Sequence, residues 1–241
     1  MIRWVIYALC SLVCFADNPF DALNGWPEMH PPNFCEGDLQ SPIDIRSSQA
    51  AEVILPPLRF ENLLCSSVKV KMMNTGTTVD FKIGEEGVVR PKMIGGPLEI
   101  HGEFQFYGIH MHWGTKDHYG SEHQVEGKSF AIEGHCVHFN TKYRTYNKAK
   151  TRPDGLAVVA FFWKAGDKHN HKIEKMVQRL QDIKYPNKSV SMTARESLGW
   201  LADLETSANY YTYPGSLTTK PYTENVIWIV YPQPMDISPS Q

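Results

Sequence analysis

The sequence predicts a single domain dominated by β-structure, and two observations carry this prediction. Short runs of alternating apolar and polar residues, bounded by Gly, Asn and Glu turns, recur through the middle of the chain. The chain has 241 residues, 42% of them apolar, which is enough for one sizeable core. We find no internal repeat, low-complexity segment or linker that would divide it.

The first strands are predicted between residues 58 and 92. Val68–Met72 and Thr78–Ile83 both alternate with a period of two, as half-buried strands do. Turn sequences follow each of them, at residues 74–76 and 84–87.

Later elements differ in their pattern. The run Leu156–Trp163 is continuously apolar, which predicts a central strand buried on both faces, and Val226–Val230 predicts another strand. Between them, residues 169–183 carry apolar side chains at helical spacing and predict one amphipathic helix. A second short helix is expected near Met192.

The strands predicted over residues 99–113 and 129–140 carry the chemistry. His110 and His112 are two residues apart, so both imidazoles face the same side of a strand. His135 on the second strand shares a face with Glu133, and a carboxylate beside a histidine ligand commonly accepts its free ring N–H. Three histidines of this kind are typical of a catalytic zinc site. His138 falls on the opposite face and is expected to be structural.

These residues occur in stretches that resemble the α-class carbonic anhydrase signature. They are His110-Met111-His112-Trp113-Gly114, Ser121-Glu122-His123 and Glu133-Gly134-His135, supported by Gln40-Ser41-Pro42-Ile43-Asp44, Tyr213-Pro214-Gly215-Ser216-Leu217-Thr218-Thr219 and Trp228. The resemblance covers most of the chain after the N-terminal segment. It implies a large, twisted, mostly antiparallel sheet with a few short surface helices.

The resemblance also implies a function and roles for individual residues. Zn²⁺ held by His110, His112 and His135 would support reversible hydration of carbon dioxide to bicarbonate and a proton by zinc-bound hydroxide. Thr218 would orient the hydroxide, and Glu122 would accept a hydrogen bond from the Thr218 hydroxyl. Glu133 would orient His135, and His123 would lie in the hydrogen-bond network beneath it. The apolar wall for carbon dioxide would consist of Val137, Val158, Leu217, Val226 and Trp228, and Thr219 would contact bicarbonate.

Three departures from the family pattern stand out. Thr77 occupies the place where fast members carry a proton-shuttle histidine, which predicts a slower enzyme. Gly108 stands where a glutamine usually supports the first zinc histidine, leaving the His110 ring N–H to water or another group. The chain also ends soon after Trp228, so the domain predicted over residues 17–241 is missing the usual C-terminal segment.

Residues 1–16 predict a secretory signal peptide and hence a secreted, extracellular protein. Arg3 precedes an apolar run from Trp4 to Phe15 that ends in small Ala16, and this run is too short to span a membrane. A buried N-terminal strand is the alternative. Of the remaining cysteines, Cys35 lies where the family's usual disulfide begins, and the pairing of Cys35, Cys65 and Cys136 is left open.

Other classes of function are less compatible with the sequence. The net charge of −2 and the absence of a basic patch argue against nucleic-acid binding, and no protein partner can be inferred. A non-catalytic binding protein on the same fold is the main alternative, although such relatives usually lack one of the histidines. A cupin-type oxygenase also uses His-x-His, but only Asp117 could supply its carboxylate, and Ser121-Glu122-His123 would be unexplained.

Overall fold

The computed structural model describes residues 4–7, 37, 39–65, 67–83, 89–202 and 209–241. They form fifteen strands, and the first eight are β1 Trp4–Tyr7, β2 Asp44–Ile45, β3 Ala50–Val53, β4 Arg59–Glu61, β5 Lys69–Asn74, β6 Val79–Ile83, β7 Lys92–Ile94 and β8 Phe104–Trp113. The others are β9 Gln124–Val125, β10 Ile132–Asn140, β11 Leu156–Ala165, β12 Ser189–Thr193, β13 Tyr211–Gly215, β14 Val226–Val230 and β15 Met235–Ile237.

Thirteen of these strands make one large sheet. Its order is β12-β5-β6-β8-β10-β11-β14-β13-β1-β3, with β7 also on β8, β4 on β7 and β15 on β11. Most neighbours are antiparallel, whereas β11 pairs in parallel with both β14 and β15, and β1 with β13. The predicted fold, a mainly β domain on one large, mostly antiparallel sheet, is confirmed.

The helices are short and lie outside the sheet. They are α1 Tyr146–Ala149, α2 Glu174–Gln178 and α3 Ala194–Leu198, with 3-10 turns at Ser47–Gln49, Gly96–Leu98, Thr141–Tyr143, Arg179–Ile183 and Gly199–Leu201. The single helix predicted over residues 169–183 is therefore shorter and changes to 3-10 geometry halfway. Residues 169–173 stay outside it because the Asn170 side chain accepts the Lys172 N–H and donates to the Asp236 carbonyl. No helix of the described residues is long and apolar enough to cross a membrane.

Each face of the sheet has its own apolar cluster. Phe81, Ile109, Met111 and Cys136 belong to the larger one, which α2 and α3 cover. Val137, Val158 and Trp228 belong to the other, which lies beside the predicted zinc histidines. Strand β11 is buried from Leu156 to Trp163, as its apolar run predicted. Because side chains alternate along β8 and β10, neighbouring residues contribute to opposite layers.

Four residues of the predicted leader lie within the sheet. Strand β1 runs parallel to β13 and antiparallel to β3, with Val5 opposite both Tyr211 and Glu52. The sequence alternative of an N-terminal strand describes these four residues better than a segment outside the fold. Cleavage after Ala16 stays a prediction.

The cysteines add no cross-link within the described residues. Cys65 and Cys136 are free thiols, and Cys35 lies outside the described residues. Cys65 is partly exposed, and its Sγ lies 3.1 Å from Ser67 Oγ. Cys136 is buried beside His138, whose Nδ1 contacts the Cys136 carbonyl at 3.1 Å. His138 also meets the rings of Phe60 and Phe106, so it lies in the apolar layer that its face predicted.

Candidate metal centre

The three predicted ligands come from two adjacent strands. His135 on β10 lies directly opposite His110 on β8, and His112 follows two residues along β8. Ring centroids are 5.1 Å apart for His110 and His112, 5.1 Å for His110 and His135, and 4.5 Å for His112 and His135. One ring nitrogen of each histidine lies within 4.8 Å of the others. A single cation can therefore reach all three.

The protonation of these histidines fits a metal ion. Burial lowers the pKa of His110, His112 and His135 to about 4, so all three imidazoles are neutral at pH 7 and each has a lone pair to offer. His112 Nε2 is buried and has no hydrogen-bond partner among the described residues. An orphaned buried nitrogen is costly unless something binds it. Three neutral nitrogen donors are the set that a catalytic zinc site uses.

Glu133 fixes the orientation of His135. Its Oε1 lies 2.7 Å from His135 Nε2, so that nitrogen carries the proton and Nδ1 is left to bind. Its Oε2 accepts the backbone N–H groups of Glu122 and His123, both at 2.7 Å. Burial alone would raise the pKa of Glu133, but His123 and His135 hold it well below its usual range. The buried carboxylate is therefore ionised.

His123 extends this buried chain of polar groups. Its Nδ1 lies 2.6 Å from Glu133 Oε1, and its Nε2 lies 2.5 Å from the Tyr213 hydroxyl. Tyr213 in turn donates to Ser41 Oγ at 3.0 Å. Glu133 and His123, which were predicted to support the ligands, are thus brought together. Ser41 and Tyr213 were quoted in the sequence motifs without a role, and only their tertiary contacts reveal one.

Two motifs distant in sequence hold the loop that carries Thr218. Ser41 N donates to Ser216 Oγ at 2.9 Å, and Ser216 N donates back to Ser41 Oγ at 3.1 Å. The Trp228 indole N–H donates to the Ser216 carbonyl at 3.1 Å. Leu217 and Thr218 follow at once, so these bonds fix where the loop leaves the sheet.

Glu122 links the loop to the histidines. Burial raises the pKa of Glu122, and a hydrogen bond with Thr218 offsets part of the rise. Its Oε1 lies 3.4 Å from His112 Nδ1, and its Oε2 lies 3.8 Å from His135 Nε2. The structure therefore places the predicted pair of Thr218 and Glu122 beside two of the three ligands.

The predicted apolar wall is largely assembled. Val137, Val158 and Trp228 are successive cross-strand neighbours on β10, β11 and β14. The Trp228 ring lies 4.8 Å from His135, so this row adjoins the metal centre. Buried Val226 and half-buried Leu217 belong to the same cluster. Thr219 differs, because it is exposed on a turn closed by Tyr222 N donating to the Thr219 carbonyl at 2.9 Å.

The expected departures are also placed. Thr77 is exposed on the turn between β5 and β6, and its hydroxyl lies 3.2 Å from Thr75 Oγ1. Two other histidines could in principle relay the proton in place of Thr77: His118 is exposed, and His101 Nδ1 lies 3.7 Å from Asp154 Oδ2. Asn140, which donates to the His101 carbonyl, is five residues from His135 along β10, or about 17 Å at 3.3 Å per residue.

Comparison with known proteins agrees with this geometry. The sequence model of the eukaryotic-type carbonic anhydrase family matches residues 21–241. Carbonic anhydrase 7 of Mus musculus is 40% identical over 231 residues, which are 95% of this chain and 83% of the relative. Carbonic anhydrase 7 of Homo sapiens is 40% identical over 224 residues, 92% of this chain and 80% of the relative. Mitochondrial carbonic anhydrase 5A of Rattus norvegicus is 35% identical over 209 residues, 85% and 65% respectively.

These relatives correct one prediction. The expected secreted, extracellular location is wrong, because the similar proteins are carbonic anhydrase 7 and a mitochondrial carbonic anhydrase 5A and not secreted forms. The apolar run at residues 4–15 has the composition of a leader, but in part it supplies a strand. Composition alone does not separate these two uses of an apolar segment.

Proposed function

The chain belongs to the eukaryotic-type carbonic anhydrase family and is an enzyme of that class, and we propose that it hydrates carbon dioxide reversibly with a zinc ion held by His110, His112 and His135. One molecule each of carbon dioxide and water gives bicarbonate and a proton. The observation that carries the proposal is the convergence of three neutral imidazoles, with His112 Nε2 buried and unpartnered within the described residues. When bound, zinc in such a site lowers the pKa of its water to about 7 and supplies hydroxide at neutral pH.

The protein's part is to hold the nucleophile in one orientation. Ionised Glu133 keeps the His135 proton on Nε2. Glu122 accepts a hydrogen bond from the Thr218 hydroxyl. The Thr218 oxygen is then left to accept a hydrogen bond from the nucleophile. A nucleophile held in this way presents a lone pair to the substrate carbon, and fixed orientation is worth several kcal/mol of barrier.

The apolar row supports a role in placing the substrate. Carbon dioxide has no net charge and no hydrogen to donate, so an apolar surface beside the histidines can hold it without competing for hydrogen bonds. Val137, Val158 and Trp228 provide that surface, and their burial limits water on this side. Thr219 is proposed to meet bicarbonate only as the product leaves, because it is exposed.

Proton release is the proposed weak step. Thr77 does not titrate near neutrality, so it cannot relay the proton to solvent as a histidine would. His101 is engaged with Asp154 at the far end of β10, and His118 is exposed on a separate loop. We therefore expect turnover to depend on diffusible buffer, and hydration to be slower than in family members with a shuttle histidine.

Metal content and hydration rate test the assignment together. Purified protein is expected to hold about one zinc per chain and to hydrate carbon dioxide, and His135→Ala is expected to lose both. Cys136→Ala, the neighbouring residue on the other face of β10, is the control and should keep zinc. Zinc retained in His135→Ala would contradict the ligand set. Zinc bound by the wild type without hydration at any buffer concentration would instead favour the non-catalytic binding protein.

A further inference from the structure

Gly108 leaves a gap on the metal side of the sheet that another residue fills. It lies between Lys82 of β6 and Val137 of β10 in the same cross-strand row as the apolar wall. A Cβ added to Gly108 would lie 3.3 Å from Lys82 Cγ, 3.7 Å from Lys82 Cε and 2.9 Å from the Phe81 carbonyl oxygen. The aliphatic stem of Lys82 therefore lies over Gly108, where a side chain at position 108 would be.

The charged end of Lys82 is fixed from two sides. Its Nζ lies 3.1 Å from Asp80 Oδ2 and 5.6 Å from the centroid of the Tyr107 ring. The Tyr107 ring stacks on Tyr146 of α1, with centroids 3.6 Å apart and planes 7° apart. Both contacts attract the ammonium group and favour this position of the side chain. The Asp80 side chain is 17% exposed and the Lys82 side chain is 44% exposed, so the ion pair is partly screened by solvent.

Asp80 stands directly opposite His110. The two residues are cross-strand partners on β6 and β8, and such partners have Cβ atoms about 4.5–5.5 Å apart. His110, His135 and Asp80 thus form a row next to the row of Lys82, Gly108 and Val137. A carboxylate one strand away from a bound divalent cation also favours that cation electrostatically.

We propose that Asp80 and Lys82 are the positioning residues of His110, in place of a side chain at position 108. This inference rests on the proposed zinc function. In this proposal the Lys82 stem, which lies over Gly108, limits how far the His110 ring can tilt. Lys82 also pairs with the carboxylate of Asp80, the cross-strand partner of His110. Groups that orient a metal ligand are typically worth about 10–100-fold in metal affinity or activity.

The test is the rate at which the holoenzyme loses zinc to an excess of a strong chelator such as dipicolinate. Lys82→Ala is expected to speed the loss about tenfold, whereas Lys82→Met, which keeps the stem, should stay within about twofold of the wild type. Asp80→Asn should speed it several-fold because it removes the negative charge. Lys164→Ala is the matched control, since Lys164 makes a similar ion pair with Asp236 at 3.4 Å on strands away from the histidines.

A second readout separates positioning from general stability. Cobalt(II) in place of zinc gives a visible absorption spectrum that reports ligand geometry. The spectrum should change in Lys82→Ala, return toward the wild type in Lys82→Met and be unaffected in Lys164→Ala. Equal zinc-loss rates and equal spectra for Lys82→Ala, Asp80→Asn and Lys164→Ala would overturn the inference. If Lys82→Ala does not fold, Asp80→Asn decides, because a zinc-loss rate and a spectrum equal to those of Lys164→Ala would then overturn the inference. A wild type that holds no zinc would refute the proposed function itself.

Discussion

Side chains one residue apart on β8 and β10 meet two different environments. On one face, His110, His112 and His135 converge among carboxylates and hydroxyls. On the other, Met111 and Cys136 belong to the apolar layer covered by α2 and α3. The face with the three histidines, called the metal face below, contains the buried carboxylate of Glu133 and a His112 nitrogen with no hydrogen-bond partner in the described part of the chain, whereas the other face contributes packing. We therefore expect substitutions on the metal face to change metal binding or hydration with little change in stability. Substitutions on the other face should change stability with little change in metal binding or hydration.

Among variants that keep the three histidines, Thr218→Ala should lower the hydration rate most. Removing the hydroxyl leaves zinc in place but frees the nucleophile to rotate, so we expect kcat/KM for hydration to fall about 100-fold. Stopped-flow hydration and metal analysis of the same sample measure both effects. Equal hydration rates for variant and wild type would place Thr218 away from the reaction.

Met111→Ala tests the opposite face at a position between two ligands. Met111 is buried and lines an apolar cavity of about 260 Å³ with Phe81, Trp163 and Ile173. Truncation should lower the free energy of unfolding by about 2–5 kcal/mol, since it removes apolar contacts and enlarges a void. Denaturant unfolding measures the loss, and zinc content should not change. Loss of zinc from a folded variant would show that the two faces are coupled.

Thr77→His should speed proton release without changing the predicted metal ligands. An imidazole on this exposed turn can carry the proton to solvent, so kcat at low buffer should rise about tenfold. That gain is below the roughly 10²–10⁴-fold of well-placed acid–base groups because the turn is solvent-exposed. Hydration measured across buffer concentrations at fixed pH and ionic strength gives the result, with kcat/KM nearly unchanged. A wild-type kcat that ignores buffer concentration would argue for another relay.

The smallest expected effect is on stability, and it concerns the charged cluster of Asp154, Lys142, Tyr143 and His101 near the end of β10 away from the predicted ligands. Asp154 accepts from Tyr143 at 2.5 Å and pairs with Lys142. Burial alone would raise its pKa, but hydrogen bonds from His101, Lys142 and Tyr143 hold it well below its usual value. The folded pKa is below the unfolded one, so this stabilisation is complete above the unfolded pKa of about 4 and is lost as pH falls below it.

We therefore expect Asp154→Asn to lower the free energy of unfolding by about 1 kcal/mol at pH 7. The difference from the wild type should shrink as the pH is lowered below about 4. Urea unfolding at a series of pH values measures it. A difference that stays constant from pH 7 to pH 3 would mean that the charge of Asp154 does not contribute.

The sequence predicted the metal face because its information is local. Parity along a strand is enough to place His110 with His112 and Glu133 with His135, and no knowledge of strand pairing is needed. The support from Lys82 and Asp80 could not be predicted in the same way. It depends on the register between β6 and β8, which brings Lys82 opposite Gly108 and which no local pattern specifies.

Two local features could not be predicted from sequence patterns, for similar physical reasons. The helix expected from residue 169 begins at Glu174 because Asn170 bonds to neighbouring backbone groups, which competes with helix formation. The apolar run at residues 4–15 was assigned to a leader from composition, whereas Trp4–Tyr7 pairs with β13 and β3. The composition of a segment cannot predict whether the fold brings it next to a strand with which it can pair.

The position of β10 has a consequence for motion. It is hydrogen-bonded to β8 on one side and to β11 on the other, and nearly all of its residues are buried. Its amide protons should exchange with deuterium only when the whole domain opens, which is the slowest class of exchange. Thr218 follows the end of β13 in a bend outside the strands, where backbone opening generally costs less free energy. We therefore expect the amides of His135 and Thr218, the proposed metal ligand and the proposed orienting residue, to exchange on very different timescales.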